Sequence, residues 1–245
     1  MKLIFSFWII LTCSSVFAQS KIVKLAQPKI VKLGLFPWEP LISENQPGHG
    51  VFSEIIVSAF DRVGYKVESK FYPFARLIQM LESGEIDVAP GVSKNEERLK
   101  IFDYSSMLYD VNMGFTFKNS KVKYNSIADI KNLKGGIMRR TFWAKELDGL
   151  GIKYEEVTDH DPNIQKLITD RIDFVCMPKE VAFNYLKLKG EDLSKYGFGL
   201  HRKEGQPMAI SKKSKLTGLL NAFEKGLSAI KADGTYDKII AKSIR

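Results

Sequence analysis

Cysteine is almost missing from this chain of 245 residues, which has only Cys13 and Cys176. Cys13 lies in an N-terminal apolar segment that we expect to be removed, so Cys176 would remain without an intramolecular partner. A chain of this size without a disulfide must be stabilised by its apolar core. Cys176 itself lies in the apolar run DFVCM, where a buried and unreactive thiol is expected rather than a nucleophile.

Histidine is also scarce. No spacing typical of metal ligands connects His49, His160 and His201 with one another or with Cys176. We therefore expect no metal and no other cofactor. No nucleophile paired with a base is visible in the sequence, so we expect no catalytic residues and no enzymatic activity.

Long apolar runs are absent. The longest one in the N-terminal part, Leu3–Leu11, is too short for a membrane span, which needs about 20 apolar residues. Lys2 precedes this run and Val16-Phe17-Ala18 follows it, as in a signal peptide that is cleaved after Ala18. We expect residues 1–18 to be removed and the mature chain to reach the periplasm, with lipidation at Cys13 as the alternative.

Basic residues outnumber acidic ones, and the formal net charge is +9. Such an excess favours encounter with anions. The lysines are dispersed along the chain and are not interleaved with exposed aromatic residues, so we expect no nucleic-acid partner.

The apolar pattern of the first third alternates between the strand and helix periods. The sequence predicts strands and helices in the order βαβαβ at 29–36, 51–63, 65–72, 74–81 and 86–89. Alternation of this kind indicates an α/β fold with parallel strands and right-handed crossovers. A second α/β set follows between 126 and 188, extended segments at 110–118 and 197–210 join the two, and a long helical stripe at 216–230 would return to the first set.

The stretch GEIDVAPGVSKNEERLKIFDYSSMLY organises the first set. It predicts a buried strand, a turn at Pro90-Gly91 and a short helix that carries Arg98. Ser93 and Glu96 fit a capping box at the start of this helix, and Asn95 is a competing cap. A guanidinium beside free backbone N–H groups is suited to a carboxylate, although a solvated surface arginine is the alternative.

Aromatic residues fall at the same edge of the predicted sheet. Trp38 follows the first strand and the turn at 72–74 follows the second, while the loop with Arg98 follows the third. Because ligands of open α/β sheets lie outside the carboxyl ends of the strands, this convergence predicts a ligand site.

The stretch quoted above and the tail AFEKGLSAIKADGTYDKI together resemble the type II periplasmic solute-binding proteins, specifically the polar amino-acid-binding family of ABC transport systems. The resemblance covers nearly the whole mature chain. It implies two lobes, each with a mixed or parallel sheet flanked by helices, that are joined by a hinge of two crossings and close on a ligand. Lobe 1 would comprise residues 26–110 and 205–245, and lobe 2 with the hinge crossings residues 111–204.

The resemblance also implies the ligand contacts of lobe 1. Arg98 matches the arginine that binds the ligand carboxylate, and Ser93 matches a hydroxyl donor five residues earlier. Trp38 matches an aromatic residue that covers the ligand, and Phe74 matches the one that faces it. The alternatives are that Trp38 and Phe74 are core aromatics and that Ser93 only caps its helix.

The second lobe departs from the family pattern. Arg140-Thr141 matches a Gly-Ser/Thr helix start that completes the carboxylate site, with arginine in place of glycine. Thr141 could be only a cap, and Arg140 could point to solvent. The acid that binds an α-amino group has no clear match, since the segment at 177–180 reads MPKE and Glu180 is only a displaced candidate.

Arg76, Arg139, Arg140 and Lys179 could add positive charge to the cleft. We therefore expect a small ligand with a carboxylate or another anionic group, an organic acid at least as readily as an amino acid.

The resemblance implies a monomeric binding protein that presents its small-molecule ligand to a membrane partner, most simply the permease of an ABC transporter. Two alternatives stay open on the same fold. One is an enzyme similar to the periplasmic cyclohexadienyl dehydratases, for which Glu180 would be the acid. The other is a ligand-sensing module that docks on a membrane receptor.

Overall fold

The computed structural model describes residues 29–243, so the predicted signal peptide and Cys13 lie outside the described residues. The strands of this part are β1 (Lys29–Leu35), β2 (Tyr65–Phe71), β3 (Val88–Pro90), β4 (Phe102–Lys118), β5 (Lys134–Met138), β6 (Lys153–Val157), β7 (Phe174–Pro178) and β8 (Tyr196–Ser211). The α-helices are α1 (Val51–Arg62), α2 (Phe74–Ser83), α3 (Glu96–Ile101), α4 (Trp143–Gly149), α5 (His160–Ile168), α6 (Lys179–Leu188), α7 (Leu219–Ala232) and α8 (Thr235–Ser243).

The strands form one sheet in the order β2-β1-β3-β8-β4-β7-β5-β6. At one end β1 pairs in parallel with β2 and β3, and at the other end β5 pairs in parallel with β6 and β7. The long strands β4 and β8 run antiparallel to each other between these two groups. We call β1–β3 with α1–α3 the first half and β5–β7 with α4–α6 the second half.

Local sequence explains the elements of the first half. Helix α1 buries Phe52, Ile55, Ile56 and Ala59, which recur at helical spacing along one face. Helix α2 ends at Gly84, whose φ of +80° is left-handed and whose Cβ position would lie 2.6 Å from the Lys213 carbonyl oxygen. Glycine suits both conditions, since it has no Cβ.

The two crossings are longer and more regular than the sequence predicts. The predicted connector at 110–118 is the second part of β4, and the extended segments at 197–210 form a single strand, β8. These strands pair from Phe102 opposite Ser211 to Lys118 opposite Tyr196, with register shifts such as the one between Met113 and Gly114. Pairing between such distant segments leaves little local signal in the sequence.

The structure decides the caps of three helices. Helix α3 is capped by Asn95, the competing candidate, whose Oδ1 accepts a hydrogen bond from the Arg98 backbone N–H, and the predicted Ser93/Glu96 capping box is wrong. Helix α5 begins at His160 and is capped by Asp159, whose side chain accepts a hydrogen bond from the Asp161 backbone N–H. Helix α4 has Phe142 at its N-cap position without a side-chain cap, because the Thr141 hydroxyl donates backwards to the Met138 carbonyl at 2.7 Å.

The C-terminal helices lie against the first half. Helix α7 packs on α1, where the rings of Phe60 and Phe223 are 5.2 Å apart between centroids. The Tyr236 hydroxyl of α8 donates to the Leu108 carbonyl at 2.7 Å. Within residues 29–243, none of the helices combines the length and the apolar character needed to cross a bilayer. The division into lobes at the residues given above stays a prediction.

Candidate functional site

A small cavity of about 30 Å³ lies between the two halves of the sheet. Most of its lining is apolar or aromatic, and this part consists of Phe36, Trp38, Phe74, Gly91, Met113, Met138, Phe142, Trp143, Cys176, Met177 and Pro178. Its polar lining consists of Ser93, Arg98, Thr141, His160 and Gln206. The volume accommodates about two water molecules, so a ligand of amino-acid size requires the halves to move apart from this closed arrangement.

Arg98 brings a buried positive charge to this cavity, with only 8% of the residue exposed. Its Nη1 donates to the Ser93 carbonyl at 3.0 Å and its Nη2 donates to the Arg140 carbonyl at 2.7 Å. These bonds engage two of the five N–H donors of a guanidinium. Within residues 29–243, no carboxylate forms an ion pair with Arg98. Burial lowers the pKa of Arg98, yet a guanidinium keeps its proton at any physiological pH.

Neighbouring groups fix the loop that carries Arg98. The Ser93 carbonyl accepts a second hydrogen bond, from the Tyr104 hydroxyl at 3.3 Å. Burial raises the pKa of Tyr104 to about 12, although the nearby charge of Arg98 acts in the opposite direction. Tyr104 therefore stays neutral and remains a donor at physiological pH, and the charge of Arg98 is left available for an anion.

Trp38 and Phe74 are buried in the wall of the cavity, and a third aromatic residue contacts both. The Phe36 ring lies 5.6 Å from the Trp38 ring in a stacked arrangement and 4.8 Å from the Phe74 ring edge-on, measured between centroids. The backbone of Gly91 lies against these rings with a φ of +69°, and a Cβ there would lie 3.0 Å from the Trp38 ring. Phe36 is not among the site residues predicted from the sequence, although it directly follows β1.

Arg140 connects the two halves without lining the cavity in the described part of the chain. Its carbonyl accepts the hydrogen bond from Arg98, and its Nη2 lies 2.5 Å from Oε1 of Glu82 in α2. Its φ of +65° is left-handed, a conformation that favours glycine and occurs here at a position where the resembled family has glycine. Thr141 does line the cavity.

Two further polar residues of the lining, His160 and Gln206, are absent from the sequence-based site. His160 is 3% exposed and Gln206 is 1% exposed. Within residues 29–243, neither ring nitrogen of His160 and neither side-chain amide atom of Gln206 has a hydrogen-bond partner. Burial lowers the pKa of His160 to about 4, so its ring is neutral at pH 7. The position of His160 shortly after the end of β6 is a signal that the strand-end rule could have used.

Acidic side chains are missing from the cavity. None of the lining residues within the described part of the chain is Asp or Glu. Glu180 lines a different groove beside Tyr109, where its Oε1 accepts a hydrogen bond from Asn112 at 2.6 Å. The cavity therefore offers no carboxylate to an α-ammonium group.

The additional cations expected in the cleft do not reach it either. Arg139 pairs with Glu156 at 3.4 Å, the Lys179 ammonium lies 5.6 Å from the centre of the Phe183 ring, and neither residue lines the cavity, nor does Arg76. Arg98 is thus the cation of the cavity lining within residues 29–243. No group of three or more His, Cys, Asp or Glu side chains that could hold a metal ion occurs in this part of the chain.

Comparison with known families decides the class of protein. The model of the bacterial extracellular solute-binding proteins, family 3, matches residues 31–245. The chain belongs to this family. The resemblance found in the sequence is confirmed, as is the two-lobed α/β fold of the type II binding proteins.

Relatives of this family 3 protein show how far the similarity extends. A probable histidine-binding protein of Campylobacter jejuni is 29% identical over 174 residues, which are 69% of this chain and 66% of the relative, slightly less than two thirds of its length. An ancestral arginine-binding protein bound to glutamine is 25% identical with a TM-score of 0.76, and the match covers 89% of this chain and 98% of that structure. A histidine kinase sensor domain with similarity to periplasmic binding proteins has a TM-score of 0.78 over 88% of this chain and 96% of its own, and at 17% identity it shows the fold alone.

The neutral His160 of this family 3 protein should make its stability depend on pH. An unfolded histidine binds a proton below about pH 6.5, whereas folded His160 does so only below about pH 4. The unfolded state therefore gains protons first as the pH falls, and the free energy of unfolding decreases between pH 6.5 and 4. We expect a loss of about 2 kcal/mol between pH 6.5 and 5, measured by urea unfolding.

The variant His160→Phe separates this effect from other titrations. Carboxylates with lowered pKa values, such as Glu155 and Asp233, lose their contributions only below about pH 4.5 and leave this window undisturbed. Between pH 6.5 and 5, the free energy of unfolding of the variant should fall much less than that of the wild type. An equal decrease in the free energy of unfolding of both proteins over this pH range would contradict the buried neutral state of His160.

Proposed function

We propose that this family 3 protein captures a small solute with a carboxylate group in the cavity between its lobes and presents it to a membrane partner. The observation that carries this proposal is the state of Arg98. Among the described residues, this buried cation contacts two backbone carbonyls and no carboxylate, and burial of a cation without a counter-ion is costly. A ligand carboxylate supplies the missing charge and accepts two hydrogen bonds from one guanidinium.

The remaining site residues take supporting roles. Ser93 offers its hydroxyl group to the carboxylate, and Thr141 on the opposite side can donate to it once its hydroxyl releases the Met138 carbonyl. Trp38 and Phe74 cover the apolar body of the ligand. Arg140 acts across the cleft, because its carbonyl orients Arg98 and its guanidinium pairs with Glu82. Ligand binding then requires opening of the lobes at β4 and β8, followed by closure.

The ligand class follows from what surrounds Arg98. Two relatives described above are named for histidine and arginine, and the second is bound to glutamine; all three amino acids carry an α-ammonium group. The cavity of this protein lacks an acidic side chain for such a group within the described residues. The protein therefore binds an organic acid at least as readily as an amino acid.

The cellular setting is part of the proposal. The signal peptide is cleaved after Ala18, and the mature protein acts as a monomer in the periplasm. It delivers its ligand to the membrane component of an ABC transporter and does not convert it. Membership of a family of extracellular solute-binding proteins supports this setting.

Calorimetric titration tests the proposed ligand class. The mature protein is titrated with a panel of the common amino acids and a panel of small organic acids. We expect saturable binding of at least one organic acid. The proposal is contradicted if plain amino acids bind tightly and organic acids do not, or if no carboxylate in either panel binds.

Two variants test whether the Arg140 guanidinium pairs with Glu82 or contacts the ligand. Because its ion pair with Glu82 is about one-third exposed, we expect Arg140→Met and Glu82→Gln each to change the affinity for the preferred acid by less than about fivefold. The double variant should resemble either single one in calorimetry. A much larger loss with Arg140→Met alone would show that the guanidinium contacts the ligand instead of Glu82.

A further inference from the structure

His160 and Gln206 share a property that the rest of the cavity lining lacks. Each is almost completely buried, and both polar atoms of each side chain are without a hydrogen-bond partner among the residues that the structure describes. Buried polar groups are paired in the great majority of cases, because an unpaired donor or acceptor keeps the full cost of its desolvation. Two such side chains in one small cavity indicate that a ligand supplies their partners.

Their positions set them apart from the carboxylate anchor. His160 begins α5 in the second half, and Gln206 lies on the crossing strand β8 opposite Tyr109. Arg98 comes from α3 in the first half. A ligand held by Arg98 thus meets His160 and Gln206 on other walls of the same cavity, which form when the halves close.

We propose that His160 and Gln206 select the ligand of this protein by hydrogen bonding to an uncharged polar group beside its carboxylate. The ligand class is then a 2-hydroxy or 2-oxo acid with a small apolar body, rather than a 2-amino acid. This inference rests on the function proposed above, because it assumes that Arg98 holds the carboxylate.

The chemistry of the two side chains matches such a group. A neutral imidazole has one donor and one acceptor, and a side-chain amide has both kinds of atom. A hydroxyl group can donate and accept, and an oxo group can accept. An α-ammonium group would add a second cation beside Arg98, and the described lining of the cavity offers no carboxylate to balance it. The lowered pKa of His160 agrees with a neutral contact.

The small size of the cavity places the polar group near the carboxylate. Arg98, His160 and Gln206 line one cavity with about 30 Å³ free in this arrangement, so a ligand group that reaches His160 and Gln206 lies close to the carboxylate held by Arg98. The second polar group of the ligand is therefore expected at the neighbouring carbon. Met113, Met138 and Phe142 provide an apolar surface for a short aliphatic chain.

Calorimetry with two matched sets of acids tests this assignment. One set is lactate, pyruvate, propionate and alanine, and the other is 2-hydroxy-4-methylpentanoate, 4-methyl-2-oxopentanoate, 4-methylpentanoate and leucine. Each set changes only the group at the second carbon. We expect the hydroxy or oxo acid of at least one set to bind at least tenfold more tightly than both the plain acid and the amino acid.

The variants His160→Phe and Gln206→Leu identify the residues responsible. Each should reduce the preference for the hydroxy or oxo acid over the plain acid at least tenfold. Each should also raise the urea midpoint of the free protein, because an unpaired buried polar group is replaced by an apolar one. Gln165→Leu, an exposed change on the same helix as His160, is the matched control and should leave the preference unchanged.

The possible outcomes separate this inference from the proposed function. If carboxylates bind and depend on Arg98, but both variants keep the wild-type preference or the amino acid binds best, the assignment of His160 and Gln206 is overturned while the proposed function stands. If variants lose stability and keep their selectivity, the two side chains are structural and the inference is again overturned. If neither matched set nor any other carboxylate binds to the wild type, both proposals fail.

Discussion

Replacement of Arg98 by methionine is expected to weaken binding of the preferred acid at least a hundredfold. A carboxylate that accepts two charge-assisted hydrogen bonds gains about 1.5–3 kcal/mol from each, so their joint loss is worth about 3 kcal/mol or more. Each 1.4 kcal/mol is a tenfold change in the dissociation constant. Methionine keeps much of the apolar stem of arginine and removes only the charge and the donors. Calorimetric titration with the acid that binds best to the wild type measures the effect.

The fold should survive this change. Arg98 contacts the carbonyl groups of Ser93 and Arg140 and has no counter-ion within residues 29–243, and a buried charge of this kind contributes little net stability. Circular dichroism and urea unfolding of Arg98→Met should therefore resemble the wild type. Arg139→Met is the matched control, because the Arg139 side chain is 54% exposed and pairs with Glu156 outside the cavity. Wild-type affinity in Arg98→Met, or an equal loss in the control, would refute the role of Arg98.

Replacement of Gly226 by alanine is expected to destabilise the fold by about 3 kcal/mol. Gly226 lies in α7 where this helix crosses α1, and a Cβ at this position would overlap the backbone carbonyl oxygen of Ala59. A backbone atom cannot turn aside as a flexible side chain can, so the two helices must separate and lose contacts such as that between Phe60 and Phe223. The decrease in the urea midpoint at constant slope measures this loss.

A second helical glycine provides the control for this prediction. Gly149 ends α4, and no atom lies within 4 Å of the Cβ that alanine would add there. Gly149→Ala should leave stability unchanged or raise it by up to about 1 kcal/mol through helix propensity. Equal midpoints for Gly226→Ala and the wild type would show that α7 does not pack closely on α1.

The sequence could predict that four site residues meet at one edge of the sheet, because their meeting follows from the order of strands and helices. Trp38, Phe74, Ser93 and Arg98 each follow a strand of a parallel α/β pattern, and the carboxyl ends of such strands meet at one edge. The structure places all four in the lining of one cavity. Their roles toward a ligand stay predictions until binding is measured.

Other features depend on strand pairing and backbone angles of the folded chain. The length of β4 and β8 comes from their mutual pairing, which a single sequence does not display. The sequence offers both Ser93 and Asn95 as the cap of α3, and the backbone angles of the folded chain put Asn95 in reach of the Arg98 N–H. The left-handed conformation of Arg140 could not be read from its residue type, since arginine rarely adopts it.

The roles of the polar residues His160 and Gln206 could not be predicted from the sequence either. A lone histidine and a lone glutamine carry no motif, and their importance arises from burial without partners, which is a property of the folded chain. The sequence does show that the acid expected near 177–180 is absent from its usual position. Such an absence is visible without a structure, because an acidic ligand contact requires Asp or Glu. The structure extends this finding to the whole described lining of the cavity.

A crystal structure of the mature protein with its preferred acid bound is the most direct test of the central role of Arg98. We expect a carboxylate oxygen of the ligand within hydrogen-bonding distance of the Arg98 guanidinium, between the two halves of the sheet and beside Trp38 and Phe74. A ligand bound elsewhere, or one whose carboxylate contacts other residues while Arg98 still binds only the carbonyls of Ser93 and Arg140, would contradict the account.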